Sequence, residues 1–339
     1  MPHHRRCVAV LLAGALAAAG CGSNPLESAP PTIEPATAAV SPPTTIPASG
    51  EVLPFPGRPN AALFDAATAT LAVFTPAGEG NTAPSQLTLL GSPAARSVPL
   101  PGAASAISGD GRGEVYAATR GGFFTVDLTT ATAERTSIDG QADTEFTAVA
   151  RRSDGQMVLG SADGTAFVLG PDLAVTGKES IFSRVDAIVT VGDTAVVLDR
   201  GQTSVTALDP QGSRRQSLRA GLGATSIVAD PLGRVLVTDT RGGQLLVFGA
   251  DPLIARQAYP VAGAPFGLTG SRGLVWVSLS ASNTVVGYDL STGIPVEKVR
   301  YPTVQQPNSL AFDDASGTLY VISGSGGGIQ VIRDAAGAR

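Results

Sequence analysis

Beyond position 21 this chain of 339 residues contains no histidine and no cysteine; His3, His4, Cys7 and Cys21 are all there are. That excludes a Ser-His-Asp or Cys-His nucleophile system, a zinc site built on His and Cys, and any disulfide within the stretch that follows. Lysine is nearly missing too: only Lys178 and Lys298 occur, so arginine carries almost all positive charge. Charged residues make up 15% of the chain, aromatics 5%, and the formal charge is −5. No basic patch or stripe is present, which argues against nucleic acid as a partner. Helix-forming Lys and Glu are few, whereas Gly (41) and Pro (25) are frequent. That balance favours many short strands joined by turns. The N-terminal apolar run, residues 7–20, is too short to cross a bilayer core of about 30 Å as a helix.

That run follows the polar, basic start His3-His4-Arg5-Arg6, and the pair fits a secretory signal. It ends in Ala18-Ala19-Gly20-Cys21, which resembles a bacterial lipobox. The resemblance implies that residues 1–20 are removed and that Cys21 is lipidated, anchoring the exported chain to the outer face of the cytoplasmic membrane. Ala18 stands where the motif usually has Leu. An ordinary signal peptide with a chance cysteine is the plainer alternative. Arg5-Arg6 is an incomplete twin-arginine motif, so the export route stays open. Residues 21–49 are rich in Pro, Ser, Thr and Ala without apolar periodicity. Such a segment buries too little apolar surface to offset its ordering entropy. A mobile spacer is expected, in preference to a docked polyproline-type segment.

From residue 58 onward the chain repeats. Apolar runs LAVF (71–74), VYAA (115–118), MVLG (157–160), AVVL (195–198), VLVT (235–238), VWVS (275–278) and LYVI (319–322) recur about every 40 residues. Each follows a shorter strand and a tight turn, and each precedes a third strand; a more polar fourth strand closes most units. Seven four-stranded units at this period predict an all-β fold, a seven-bladed β-propeller over residues 50–339. The last unit runs out after its third strand. GEVLPFPGRPN at 50–60 matches EKVRYPTVQQPN at 297–308, a fourth strand and the entry to the next unit. Residues 51–55 are therefore expected to supply the outer strand of the last blade and close the ring.

The repeats PNSLAFDDASGTLYVISGSGGGIQVI (307–332) and ATSIVADPLGRVLVTDTRGGQLLVF (224–248) resemble YVTN and NHL propellers. With the lipobox and the Pro-rich segment, the whole chain is similar to mycobacterial and actinobacterial β-propeller lipoproteins of the LppL type. That resemblance implies an exported, membrane-anchored propeller and assigns no reaction.

The loops between second and third strands place Arg120, Arg200 and Arg241 at similar positions in three blades. Three guanidinium groups on one face would bind a carboxylate, phosphate or sulfate. In the alternative, Arg200 and Arg241 pair with the adjacent Asp199 and Asp239 and only structure the loops. Unit alignment sets Asn60, Ser105, Thr147, Asp186, Thr225, Phe266 and Asn308 at the channel mouth. Asn60, Asp186 and Asn308, with Glu145 nearby, are oxygen ligands of the kind Ca²⁺ accepts. Calcium-dependent lactonase propellers hold their metal in such a position. GSGGGI (324–329) lacks the helix and Lys of a phosphate loop and reads as a turn. Trp276 is expected in the core, and Arg151-Arg152 in a solvated turn on the opposite face. The favoured reading is a non-enzymatic binding or scaffold module, a monomeric propeller for an envelope protein or anionic ligand. The alternative is a Ca²⁺-dependent, lactonase-like hydrolase.

Overall fold

The computed structural model describes residues 31–78, 84–91 and 94–337. Strand β1 (Glu51–Leu53) comes first and belongs last in the ring. Blade 1 is β2 (Ala61–Asp65), β3 (Thr70–Thr75), β4 (Gln86–Leu90) and β5 (Arg96–Pro99). Blade 2 is β6 (Ile107–Gly109), β7 (Glu114–Thr119), β8 (Gly122–Asp127) and β9 (Thr132–Ser137). Blade 3 is β10 (Phe146–Arg151), β11 (Met157–Ser161), β12 (Ala166–Leu169) and β13 (Val175–Glu179). Blade 4 is β14 (Ala187–Val191), β15 (Thr194–Asp199), β16 (Ser204–Leu208) and β17 (Arg214–Arg219). Blade 5 is β18 (Ala224–Ala229), β19 (Arg234–Asp239), β20 (Gln244–Ala250) and β21 (Leu253–Pro260). Blade 6 is β22 (Pro265–Gly270), β23 (Val275–Leu279), β24 (Thr284–Asp289) and β25 (Val296–Pro302). Blade 7 is β26 (Pro307–Asp313), β27 (Thr318–Ser323) and β28 (Ile329–Ile332), completed by β1. All pairings are antiparallel, and the first strands β2, β6, β10, β14, β18, β22 and β26 each touch the next around the ring. The protein is a seven-bladed β-propeller.

The uninterrupted apolar runs are the second strands, buried on both faces. Side chains alternate across a strand, so successive residues serve different interfaces. In β15, Ala195 and Val197 pack toward blade 3 while Val196 and Leu198 pack toward blade 5. In β23, Val275 and Val277 face blade 5, and Trp276 faces blade 7, where it stacks on Phe312 with ring centroids 5.7 Å apart. Seven apolar clusters result, one at each blade interface. Each fully buried Val, Leu or Phe in them contributes about 1.5–3 kcal/mol. Outer strands see solvent on one side and read as polar alternation, as in RRQSLR of β17.

Closure follows the expectation with a shorter strand, 51–53 rather than 51–55. Glu51 pairs with Val331, Val52 with Gln330 and Leu53 with Ile329. Gln330 is fully buried. Its amide donates to the Ser49 carbonyl (2.7 Å) and the Pro302 carbonyl (3.0 Å), and its oxygen accepts from the Val304 amide (3.1 Å). One side chain thus ties blade 7 to the N-terminal segment, to β25 of blade 6 and to the linker between blades. Gly50 enters β1 with φ +76°, and a Cβ there would stand 2.3 Å from the Val331 carbonyl oxygen.

On the opposite face, Arg151 and Arg152 are not a solvated pair. Arg151 donates to Glu114 (3.1 Å) and to the Tyr116 hydroxyl (2.9 Å) of blade 2. Arg152 is 3% exposed and donates to the carbonyls of Asp209 (2.6 Å) and Pro210 (2.8 Å) in blade 4. The two guanidinium groups bolt blade 3 to both neighbours, because turn carbonyls and carboxylates lie within reach on either side.

Deleting residues 50–57 is expected to lower the melting temperature by more than about 10 °C, at roughly 2–4 °C per kcal/mol for domains of this order. Gly50→Val should lower it in the same direction by less. Wild-type melting of both variants would contradict closure by β1.

Candidate functional site: the loop face and its strap

One face of the ring carries the loops between second and third strands together with the linkers that enter each blade. A repeated device holds the two together. The second strand ends in a buried polar residue that grips the linker of its own blade. Thr119 donates to the Ala103 carbonyl (2.6 Å), and Ser323 to that of Gln305 (2.7 Å). Asp199 accepts from the amide and hydroxyl of Ser183, both at 2.6 Å. Asp239 accepts from the amides of Leu222 (2.9 Å), Gly223 (2.8 Å) and Gly242 (2.8 Å). Gly221 lies so close beneath Asp239 that a Cβ would meet the carboxylate at 1.9 Å. A charged acceptor satisfied by several amides is strong. Asp199 and Asp239 are thereby committed to backbone, and neither pairs with the arginine beside it.

Arg200 and Arg241 turn instead to a segment expected to be free. Residues 31–49 have no regular secondary structure and lie along this face as a strap. The Ile33 amide donates to the Gly201 carbonyl (2.8 Å). Arg241 donates to the Glu34 carbonyl (2.8 Å) and Arg200 to that of Ala36. Ala36 is 7% exposed and sits over Gly223, the one residue type that leaves it room. Further on, the Ala39 amide donates to the Ser280 hydroxyl (3.1 Å), and Ser41, 4% exposed, donates to the Ser280 carbonyl (2.6 Å). Gln306 accepts from the Ser41 amide (3.0 Å) and donates to the Ala39 carbonyl (2.9 Å); Asn283 donates to Pro42 (2.7 Å). The strap ends where Ser49 bonds to Pro302 (3.1 Å) and Gln330. The sequence expectation rested on apolar burial, of which the strap has little. Its attachment is polar and distributed over blades 4 to 7.

The three arginines therefore do not form one site. Arg200 and Arg241 reach the same short stretch of the strap. Arg120 stands apart on blades 2 and 3, 3.9 Å from the Asp143 carboxylate, with both side chains well exposed. The backbones of Glu145 and Arg120 pair in an isolated antiparallel β-bridge, and both residues line a hollow of about 570 Å³ with Asp143, Thr144 and Asp163. This sector of the face is not covered by the strap.

The channel-mouth residues are distributed likewise. Asn60 is exposed at the entry to β2, its amide on the Phe74 carbonyl (3.0 Å). Asn308 accepts from Gln306 (3.0 Å), the residue that also holds the strap. Thr147 bonds to the carbonyls of Gly160 and Val185, and Thr225 to the hydroxyl of Thr240 (2.6 Å). Asp186 accepts from the Arg200 amide (2.7 Å) and faces Arg184 at 3.6 Å. Burial pushes its carboxyl above the ordinary range, against the pull of the Arg200 amide and guanidinium. Among the described residues, no three Asp, Glu, His or Cys side chains gather as a metal cage. Cys21 and the signal segment lie outside the described residues.

No family model and no curated protein matches this chain. Solved structures similar to it include a streptogramin B lyase, with TM-score 0.64, 10% identity, and coverage of 86% of this chain and 95% of that one. A virginiamycin B lyase from Staphylococcus aureus gives 0.64 and 10%, over 81% and 94%. A chain of a mitotic checkpoint complex gives 0.68 and 12%, over 88% and 96%. Identities this low show a common propeller fold and nothing finer.

The Asp186 carboxyl binds its proton more tightly in the folded state than in the unfolded chain. Its ionisation therefore costs stability above the raised folded value, and the cost vanishes below the unfolded value near 3.9. Asp186→Asn retains an acceptor for the Arg200 amide. It should melt higher than wild type at pH 7 and no higher at pH 3; a lower melting temperature at pH 7 would show that the Arg184 pair outweighs burial.

Proposed function

We propose that this protein is a non-enzymatic binding or scaffold module, exported and held at the outer face of the cytoplasmic membrane by a lipid on Cys21, as the likeness to LppL-type lipoproteins suggests. The observation that carries this reading is the strap. It ties two of the four candidate metal residues, Asn308 through Gln306 and Asp186 through Arg200, into one network, while Asn60 and Glu145 lie outside it. It also occupies Arg200 and Arg241, so an anionic ligand at those two groups would first have to displace it. The uncovered sector around Arg120, Asp143 and Glu145 remains for a protein partner.

One solved virginiamycin B lyase is described as catalytically inactive when a histidine is replaced by alanine. This chain has histidine only at positions 3 and 4, ahead of Cys21. The fold likeness to that lyase therefore does not bring its activity here. The strap also shortens the tether. Ile33 is fixed on the loop face, and the twelve residues from Cys21 reach at most roughly 40 Å. A lipid on Cys21 would hold this face toward the bilayer.

Two measurements test the proposal. Cys21→Ser should move the chain from the membrane fraction to the soluble fraction. A photo-crosslinking residue at position 143 should capture a discrete protein partner in intact cells, and Arg120→Glu should abolish the capture. Membrane retention of Cys21→Ser would contradict the lipid anchor. No adduct from position 143 would contradict a partner at this sector.

A further inference from the structure

Three apolar side chains of the loop face stand out in solvent on backbone that is held in place. Val40 is 92% exposed although both its neighbours are tied down. The Ala39 amide donates to Ser280 and its carbonyl accepts from Gln306, while Ser41 bonds the same two residues. Ile46, 64% exposed, belongs to an arch, residues 42–46, that stands off Ser282 and Thr284 of blade 6 across a hollow of about 360 Å³. Pro42, Pro43 and Pro47 fix φ along that arch. Leu222, 58% exposed, has its amide on Asp239 (2.9 Å) and its carbonyl on Arg241 (3.3 Å).

Single exposed apolar residues are ordinary on any surface, and the opposite face has its own, among them Leu232 and Ile294. Two observations set the loop face apart. The first is the covering: residues 31–49 carry a single charged residue, Glu34, so the sector beneath the strap is capped by a low-charge layer rich in Pro, Ala, Val and Ile. The second is the chain that leads away from it. Ile33 is fixed here by its bond to Gly201 (2.8 Å), and Cys21 with the apolar run 7–20 lies only a short leash upstream, at most roughly 40 Å of chain from Cys21. The loop face is therefore the surface from which the route to any lipid on Cys21 departs.

We infer that Val40, Ile46 and Leu222 dip into the interfacial layer of the bilayer that anchors the chain, so that the strap is a membrane-contact surface. This rests on the membrane-anchoring reading. Three side chains are too few to hold the protein on their own, but a lipid on Cys21 would make their insertion an intramolecular step that needs little affinity. Val40 and Ile46 stand over blades 6 and 7 and Leu222 leads into blade 5, whereas Arg120 lies across the ring on blades 2 and 3. Contact through the three residues tilts the ring and lifts the Arg120 sector off the bilayer, where a protein partner can reach it.

The test uses the full chain, acylated on Cys21 and reconstituted into vesicles of phosphatidylethanolamine and phosphatidylglycerol. An environment-sensitive NBD dye is placed on Val40→Cys, Ile46→Cys or Leu222→Cys. The reference is the same labelled variant in solution, with Cys7→Ser and Cys21→Ser. Flotation with the vesicles reads the anchor; the dye reads the face. On vesicles, emission at all three positions should shift to shorter wavelength and be quenched by a spin label in the acyl chains. Dye on Leu232→Cys or Ile294→Cys should do neither. Val40→Glu with Ile46→Glu should return a dye at position 222 to its solution spectrum without lowering the melting temperature. Floating protein whose dyes at 40, 46 and 222 keep their solution spectra would overturn the contact and leave the lipid anchor standing. Equal shifts on both faces would overturn it as well. A shift already present in solution and lost on dilution would assign the patch to a second copy of the chain instead. Acylated protein that does not float would remove the anchor, and the contact with it.

Discussion

The ladder between Glu51–Leu53 and β28 is the seam on which the ring depends. Every other blade draws its four strands from one continuous stretch of chain, and its outer edge follows at once in sequence. Blade 7 alone must wait for an edge strand from the far end. Three pairs of residues are a short ladder, and Gln330 reinforces it by bonding the strand behind, the blade beside and the linker between them. A fully buried amide is costly unless its donors and acceptor are met. Here one of the three bonds, to Ser49, crosses the seam, and the other two hold Gln330 to blade 6 and the linker, so opening the seam would leave one amide hydrogen of Gln330 unmet. The apolar clusters hold neighbouring blades together everywhere, blades 7 and 1 included, and the seam adds the one sheet that draws strands from both ends of the chain.

The strap extends the same logic across the loop face. The chain that closes the ring has already crossed blades 4 to 7 before it reaches β1. Its bonds are made by residues that already have a structural task. Ser280 grips its own linker at Ala264 and also receives the strap. Arg200 offers its amide to Asp186 and its guanidinium to Ala36. Closure, the covered sector and the departure point toward Cys21 are thus one continuous path of chain. What the path leaves open is the Arg120 sector across the ring.

Much of this was legible in the sequence. The second strands announce themselves as runs such as AVVL and VLVT, because burial on both faces removes the polar alternation. Closure could be read from a phrase repeated at residues 50–60 and 297–308. The strap could not be read, since Pro, Ser, Thr and Ala give no periodicity. Its partners Arg200, Arg241, Ser280, Asn283 and Gln306 are scattered across blades 4 to 7. Asp199 and Asp239 looked like partners for the next arginine; that they serve backbone amides depends on the linker returning to the second strand, a three-dimensional fact. Arg152 was misplaced for a similar reason, as its acceptors lie in another blade. One signal was available in hindsight: a polar residue closes the second strand in unit after unit, at Thr119, Ser161, Asp199, Asp239 and Ser323, and each is buried.

The central claim is that residues 31–49 are part of the propeller and lead directly into its seam. Hydrogen exchange of that segment tests it most directly. The amides of Ile33, Ala39, Ser41 and Ser49 donate to the blades and should exchange well below the rate of the free peptide, with Ser49 slowest because it adjoins the seam. Exchange of all four at the unfolded-chain rate would show a free tether and contradict the account.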